Sequence, residues 1–169
     1  MKSTNNVILL KNNYTLKYKE FYFKCAIGKK GLTSQKIEGD KKTPKGIFKL
    51  GNLFYRKDRV RKPITNLSCK SIKNNMRWCN DINDSKNYNK LVKKKLKLRS
   101  EKLYRKDFKY NYLIIIEYNS QKRVLGKGSA IFIHLTKNYK PTAGCITLIE
   151  KDFLILARLI NKNTKIKII

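Results

Sequence analysis

One histidine, His134, one tryptophan, Trp78, three prolines and 11 acidic residues are what this chain of 169 residues has least of. With a single histidine, and with Cys25, Cys69, Cys79 and Cys145 showing no CxxC spacing, a zinc centre is not expected. No apolar run approaches the roughly 20 residues that span a bilayer as a helix. The start of the chain has only the short apolar run Val7 to Leu10 before Lys11, with no small-residue cleavage site. By itself that start reads as a soluble, unexported protein. Cys69 and Cys79 are near enough in sequence to bridge in an oxidising compartment, although spacing does not fix the geometry a disulfide needs.

The shortage of acid stands against 41 Lys and Arg, for a formal net charge of +30. A surface so basic attracts polyanions at long range, and nucleic acid, anionic lipid and anionic wall polymer all meet that description. The same excess of Lys, Asn and Ile also follows from codon composition in an AT-rich genome, so charge alone does not choose a function. Ten tyrosines, seven phenylalanines and 41% apolar residues are enough to build a core. The length fits one domain, residues 1–169.

The pattern is mainly β. Val7 to Leu10, Thr15 to Tyr18 and Phe21 to Ile27 are short β-branched and aromatic runs separated by turn residues. Glycines and Pro44 then predict loops around one short strand, Gly46 to Leu50. Tyr55 to Arg105 has poor periodicity and reads as an irregular basic insertion, with Lys93 to Arg99 as a solvated run. Tyr112 to Tyr118 has the near-continuous apolar character of a strand buried on both faces. Ser129 to Leu135 predicts a strand with Ala130, Phe132 and His134 on one face. Phe153, Leu156, Ala157 and Ile160 follow the spacing of an amphipathic helix, and Ile166 and Ile168 alternate with lysines as a last strand.

Chemistry concentrates at Cys145, in the small-residue turn Pro141-Thr142-Ala143-Gly144-Cys145. A nucleophilic thiol needs a base and backbone N–H groups aimed at a developing oxyanion. His134, at a strand end eleven residues earlier, supplies the base if the loop folds back, and Gly144 permits the backbone geometry. The plain alternative is a small buried thiol and a structural histidine.

Gly128-Ser129-Ala130-Ile131-Phe132-Ile133-His134, followed by Pro141-Thr142-Ala143-Gly144-Cys145, resembles the active-site signature of one branch of L,D-transpeptidase (YkuD-type) catalytic domains. Glu38-Gly39-Asp40, Thr43-Pro44 and Gly46 resemble that family's glycine-rich turn, and Tyr88-Asn89, Ser100 to Leu103, Arg105 and Asp107 also match. The best-known members place Ser-His-Gly before the cysteine and Arg or Asn after it, whereas Thr142-Ala143-Gly144 and Ile146 stand here.

The resemblance implies a β-sandwich or barrel-like fold and a cysteine-dependent transpeptidase. Cys145 would be the nucleophile, His134 the base and acid, and the Gly144 and Cys145 N–H groups the oxyanion hole, with no cofactor and no metal. It implies peptidoglycan stem peptides as donor and acceptor, anionic wall polymers as further partners of the basic surface, and a periplasmic or envelope location. Asp40, Thr43 and Gly46 are expected to shape a turn, Glu101 and Arg105 to form an ion pair or solvated face, and Trp78 and Tyr88 to form a satellite core rather than stack on sugar. Two other readings stay open. One is a nucleic-acid-binding module using the Lys-aromatic stretches Tyr14 to Phe23 and Tyr104 to Tyr112. The other is a wall-binding protein without turnover.

Overall fold

The computed structural model describes residues 6–93 and 99–169. Its strands, in chain order, are β1 (Val7–Asn12), β2 (Thr15–Tyr18), β3 (Phe21–Lys24), β4 (Leu32–Thr33), β5 (Thr43–Pro44), β6 (Gly46–Tyr55), β7 (Cys69–Ser71), β8 (Met76–Cys79), β9 (Leu91–Lys93), β10 (Ser100–Lys102), β11 (Tyr112–Ile116), β12 (Phe132–Leu135), β13 (Ile146–Leu148) and β14 (Lys165–Ile168). One helix, α1 (Glu150–Leu159), lies between β13 and β14. The architecture is mainly β, as the patterning predicts.

The main sheet runs β13-β12-β11-β6-β14-β1-β2-β3, with β7 also paired to β6. It curls toward closure, because Ala26, just after β3, exchanges backbone hydrogen bonds with Thr147 on β13 at the opposite edge. Joining the two edges removes an open ladder. Alternation along the central strand feeds two cores. Tyr112, Ile114 and Ile116 point into the larger one, with Phe153, Leu156 and Ala157 of α1, and Leu113 and Ile115 point into a second with Phe54, Trp78, Leu103 and Phe132. Glu150 and Asp152 in the first turn of α1 and Arg158 in its last suit the helix dipole.

The insertion is irregular only in part. Its strands β10, β8 and β9 form an antiparallel three-stranded sheet that supplies Trp78 and Leu103 to the second core. Strands of three or four residues are too short to leave a period in the sequence, and their anchors are contributed singly. Of the basic run, Lys93 is exposed on β9, while residues 94–98 lie outside the described residues. The strand expected from Ser129 begins only at Phe132, because Ala130 turns the backbone out of the extended region at φ +52°. The Gly46 strand runs on to Tyr55, twice the expected length.

Cys69, on the main sheet, and Cys79, in the small one, are both free thiols, so the bridge their spacing allows is not made. The stretches suggested for base stacking put much of their aromatic surface inside. Tyr18, Phe23, Tyr110 and Tyr112 are buried, and Tyr104 lies 3.5 Å beneath the Arg56 guanidinium, leaving Tyr14, Phe21 and Tyr22 exposed. Among the described residues no helix is long and apolar enough to cross a membrane.

Candidate active site

The connection between His134 and Cys145 folds back by making their strands neighbours. β12 and β13 run parallel with His134 beside Thr147 and Ile133 beside Ile146, so Cys145 enters one residue before the ladder. Cys145 packs against the core that contains Phe132 and Ala130, on the face that carries His134. Both side chains line one cavity of about 680 Å³, together with Lys36, Glu38, Glu101 and Tyr110.

The turn before Cys145 is tied down from three sides. Thr142 makes backbone bonds in both directions with the chain around Ile27 and Lys29. Its hydroxyl donates to the Cys145 carbonyl at 2.6 Å and accepts from the Gly144 N–H at 3.0 Å. The buried Thr43 hydroxyl donates to the Gly144 carbonyl at 2.8 Å and accepts from the Gly28 N–H at 2.9 Å. Thr43, expected to shape its own turn, thus reaches across to brace the cysteine loop. Gly144 is required where it stands: its φ is +144°, and a Cβ there would sit 2.9 Å from the Lys42 carbonyl oxygen. Its N–H is engaged by Thr142 in this state, so an oxyanion using it must first displace that hydroxyl.

The Cys145 thiol donates to the Ala130 carbonyl at 3.3 Å, and its sulfur accepts from the Phe132 N–H at 3.4 Å. Burial pushes the thiol up to about 12, with the Glu101 carboxylate adding to the rise. The His134 ring is 7% exposed and meets Tyr110 edge-on at 5.1 Å between centroids. Its Nδ1 stands 3.1 Å from the Leu135 carbonyl, which assigns the proton to Nδ1 and the lone pair to Nε2. A backbone carbonyl, and not a carboxylate, thus orients the ring. Burial drives its pKa down to about 4, helped by Lys109 and Arg105. The site at rest therefore pairs a neutral thiol with a neutral imidazole, each hydrogen-bonded to backbone.

Glu101 corrects the expectation of an ion pair or solvated face. It lines the cavity and accepts a hydrogen bond from Tyr110, and burial raises its pKa. Arg105 pairs instead with Asp107, at 2.6 Å. Tyr88 donates to Glu38, which also receives the Ser129 hydroxyl at 2.7 Å. The two bonds to Glu38 join residues far apart in sequence, and no spacing advertises them.

The chain matches the model of the YkuD family, described as the L,D-transpeptidase catalytic domain, over residues 2–168. No curated protein matches it. Among solved structures it is similar to the helical cell shape determining protein Pgp2 from Campylobacter jejuni, at 19% identity and a TM-score of 0.55. A lysine-to-alanine mutant of that protein gives 18% and 0.52. Each superposition covers 96% of this chain and 46% of the other, so the chain spans about half the length of these structures. At such identity the likeness is one of fold.

Proposed function

Because the chain belongs to the L,D-transpeptidase catalytic-domain family, we propose that it is a cysteine-dependent L,D-transpeptidase acting on peptidoglycan stem peptides. One observation carries the reading: the only histidine of the chain and a cysteine in a braced glycine turn line one cavity from adjacent parallel strands.

With thiol and imidazole both neutral at rest, proton transfer accompanies attack rather than preceding it. Substrate entry turns the thiol from the Ala130 carbonyl toward His134, whose Nε2 takes the proton as sulfur bonds to the L,D-peptide carbonyl carbon. The carbonyl oxygen gathers negative charge at the Cys145 N–H, joined by the Gly144 N–H once Thr142 gives way. Collapse breaks the C–N bond, the imidazolium protonates the departing D-residue's amine, and a thioester remains. An amine of a second stem attacks the thioester, giving its proton to His134, and the sulfur leaves and is reprotonated. Water in place of that amine makes the same site an L,D-carboxypeptidase.

A reading as a wall-binding protein without turnover is favoured by the high thiol pKa and by the thiol's bond to backbone. Intact-mass measurement after exposure to a carbapenem, whose strained amide acylates thiols, separates the two. The enzyme reading expects one covalent adduct, absent in Cys145→Ala and slower in His134→Ala, and turnover of a tetrapeptide stem with the same dependence. Muropeptide binding without adduct or turnover in the folded protein supports the other reading.

A further inference from the structure

Asn89 belongs to the insertion, between β8 and β9, yet its side chain ends at the backbone that holds the cysteine thiol. Its Oδ1 accepts from the Trp78 Nε1–H at 2.8 Å and from the Ala130 N–H at 3.1 Å. Its Nδ2 donates to the carbonyls of Tyr118 and Asn119, at 2.9 and 2.8 Å. An indole N–H can only donate and a carbonyl can only accept, so these partners fix which end of the amide is which and occupy both of its donors. The residue is 5% exposed.

Ala130 is the next link. It sits at φ +52°, a conformation that costs a residue with a Cβ free energy and persists only where neighbours impose it. Its N–H is held by Asn89, and its carbonyl accepts the Cys145 thiol. Tyr88, beside Asn89, accepts the Gly128 N–H at 3.1 Å, so two consecutive residues of the insertion hold the first and last of the three residues before Ile131.

We propose that Asn89 is a positioning residue for the Cys145 thiol, acting through the Ala130 peptide. Asn89 sets the place and direction of the carbonyl on which the S–H rests, and hydrogen bonding of the neutral thiol there keeps it protonated until substrate draws it away. The consequence for turnover rests on Cys145 being the nucleophile; the effect on the thiol itself does not.

The test is the pH dependence of Cys145 carbamidomethylation, followed by peptide mass in the parent, Asn89→Ala and Asn89→Asp, with circular dichroism to establish folding. Asn89→Ala releases the Ala130 peptide and the thiol loses its acceptor, so the thiolate fraction at a given pH rises about threefold, the worth of one weak hydrogen bond. Asn89→Asp keeps an acceptor for the Ala130 N–H, gives up the two donors to the Tyr118 and Asn119 carbonyls, and brings a negative charge toward the thiol, which opposes the thiolate and moves the profile to higher pH. General loosening cannot produce opposite shifts. Folded variants with the parental profile, or both shifted the same way, overturn the proposal. If Asn89→Ala does not fold, an unmoved profile in Asn89→Asp is sufficient to do so. Opposite shifts in a protein that never takes a carbapenem adduct would sink the transpeptidase reading alone, whereas adduct formation with unmoved profiles would sink this one alone.

Discussion

Burying a neutral imidazole couples the fold to acid. The unfolded chain protonates His134 near pH 6.5, while the folded one does so only near 4, so between those values the unfolded state binds more protons. Stability therefore falls as pH drops from 6.5 to 4, by about 3 kcal/mol from this group. Glu101, raised by burial, works in the opposite sense. Urea titrations of the parent and His134→Gln across that range isolate the histidine: the variant should lose most of the parent's acid slope, and parallel slopes would show that His134 titrates normally. Thr43→Val keeps the shape but leaves the Gly144 carbonyl and Gly28 N–H without their partner. A cost of about 2 kcal/mol in the urea midpoint is expected, with slower acylation of Cys145. The cysteine, the histidine and the glycine turn were legible because one short segment carries them all. Glu101 was not, because its partner Tyr110 reaches it only once β10 and β11 are in place. Asn89 was visible as a motif match, but its work depends on the φ of Ala130, which no residue type announces.

Elements with a period were readable from the chain, and those without one were not. The helix showed itself through Phe153, Leu156 and Ala157, and the central strand through its unbroken apolar run, because each presents a repeated face to a core. The insertion contributes its buried groups one at a time, Trp78 from one strand and Leu103 from beyond another, and so looked irregular. Those groups nevertheless share a core with Leu113 and Phe132 of the main sheet, which should make insertion and sheet unfold together. Leu103→Ala and Leu156→Ala each remove a fully buried side chain, from opposite cores, at about 3 kcal/mol apiece. Both should shift one urea transition, seen alike by tryptophan fluorescence, which reports on Trp78 in the insertion, and by far-ultraviolet circular dichroism. If Leu103→Ala splits the fluorescence transition away from the other, the insertion is a separate cooperative unit.

At the scale of the whole molecule, 41 cationic side chains surround 11 acidic ones. Among the described residues the ion pairs are Lys36–Asp40, Arg56–Asp58 and Arg105–Asp107, and the last two join residues two apart, so they do little to tie distant parts together. Folding thus concentrates like charge that the unfolded chain spreads over a larger volume, and self-repulsion opposes the compact state. Salt acts directly on that term: the screening length falls from about 30 Å at 0.01 M to about 8 Å at 0.15 M. Relief of about 2 kcal/mol over this range raises Tm by about 5 °C for a chain of this size. Differential scanning calorimetry in sodium chloride at fixed pH measures the rise. A falling Tm would mean that attractive contacts, including the three pairs, outweigh the repulsion. A sharper rise with phosphate than with chloride at matched ionic strength would mean that anions bind the folded surface at particular places rather than merely screening it.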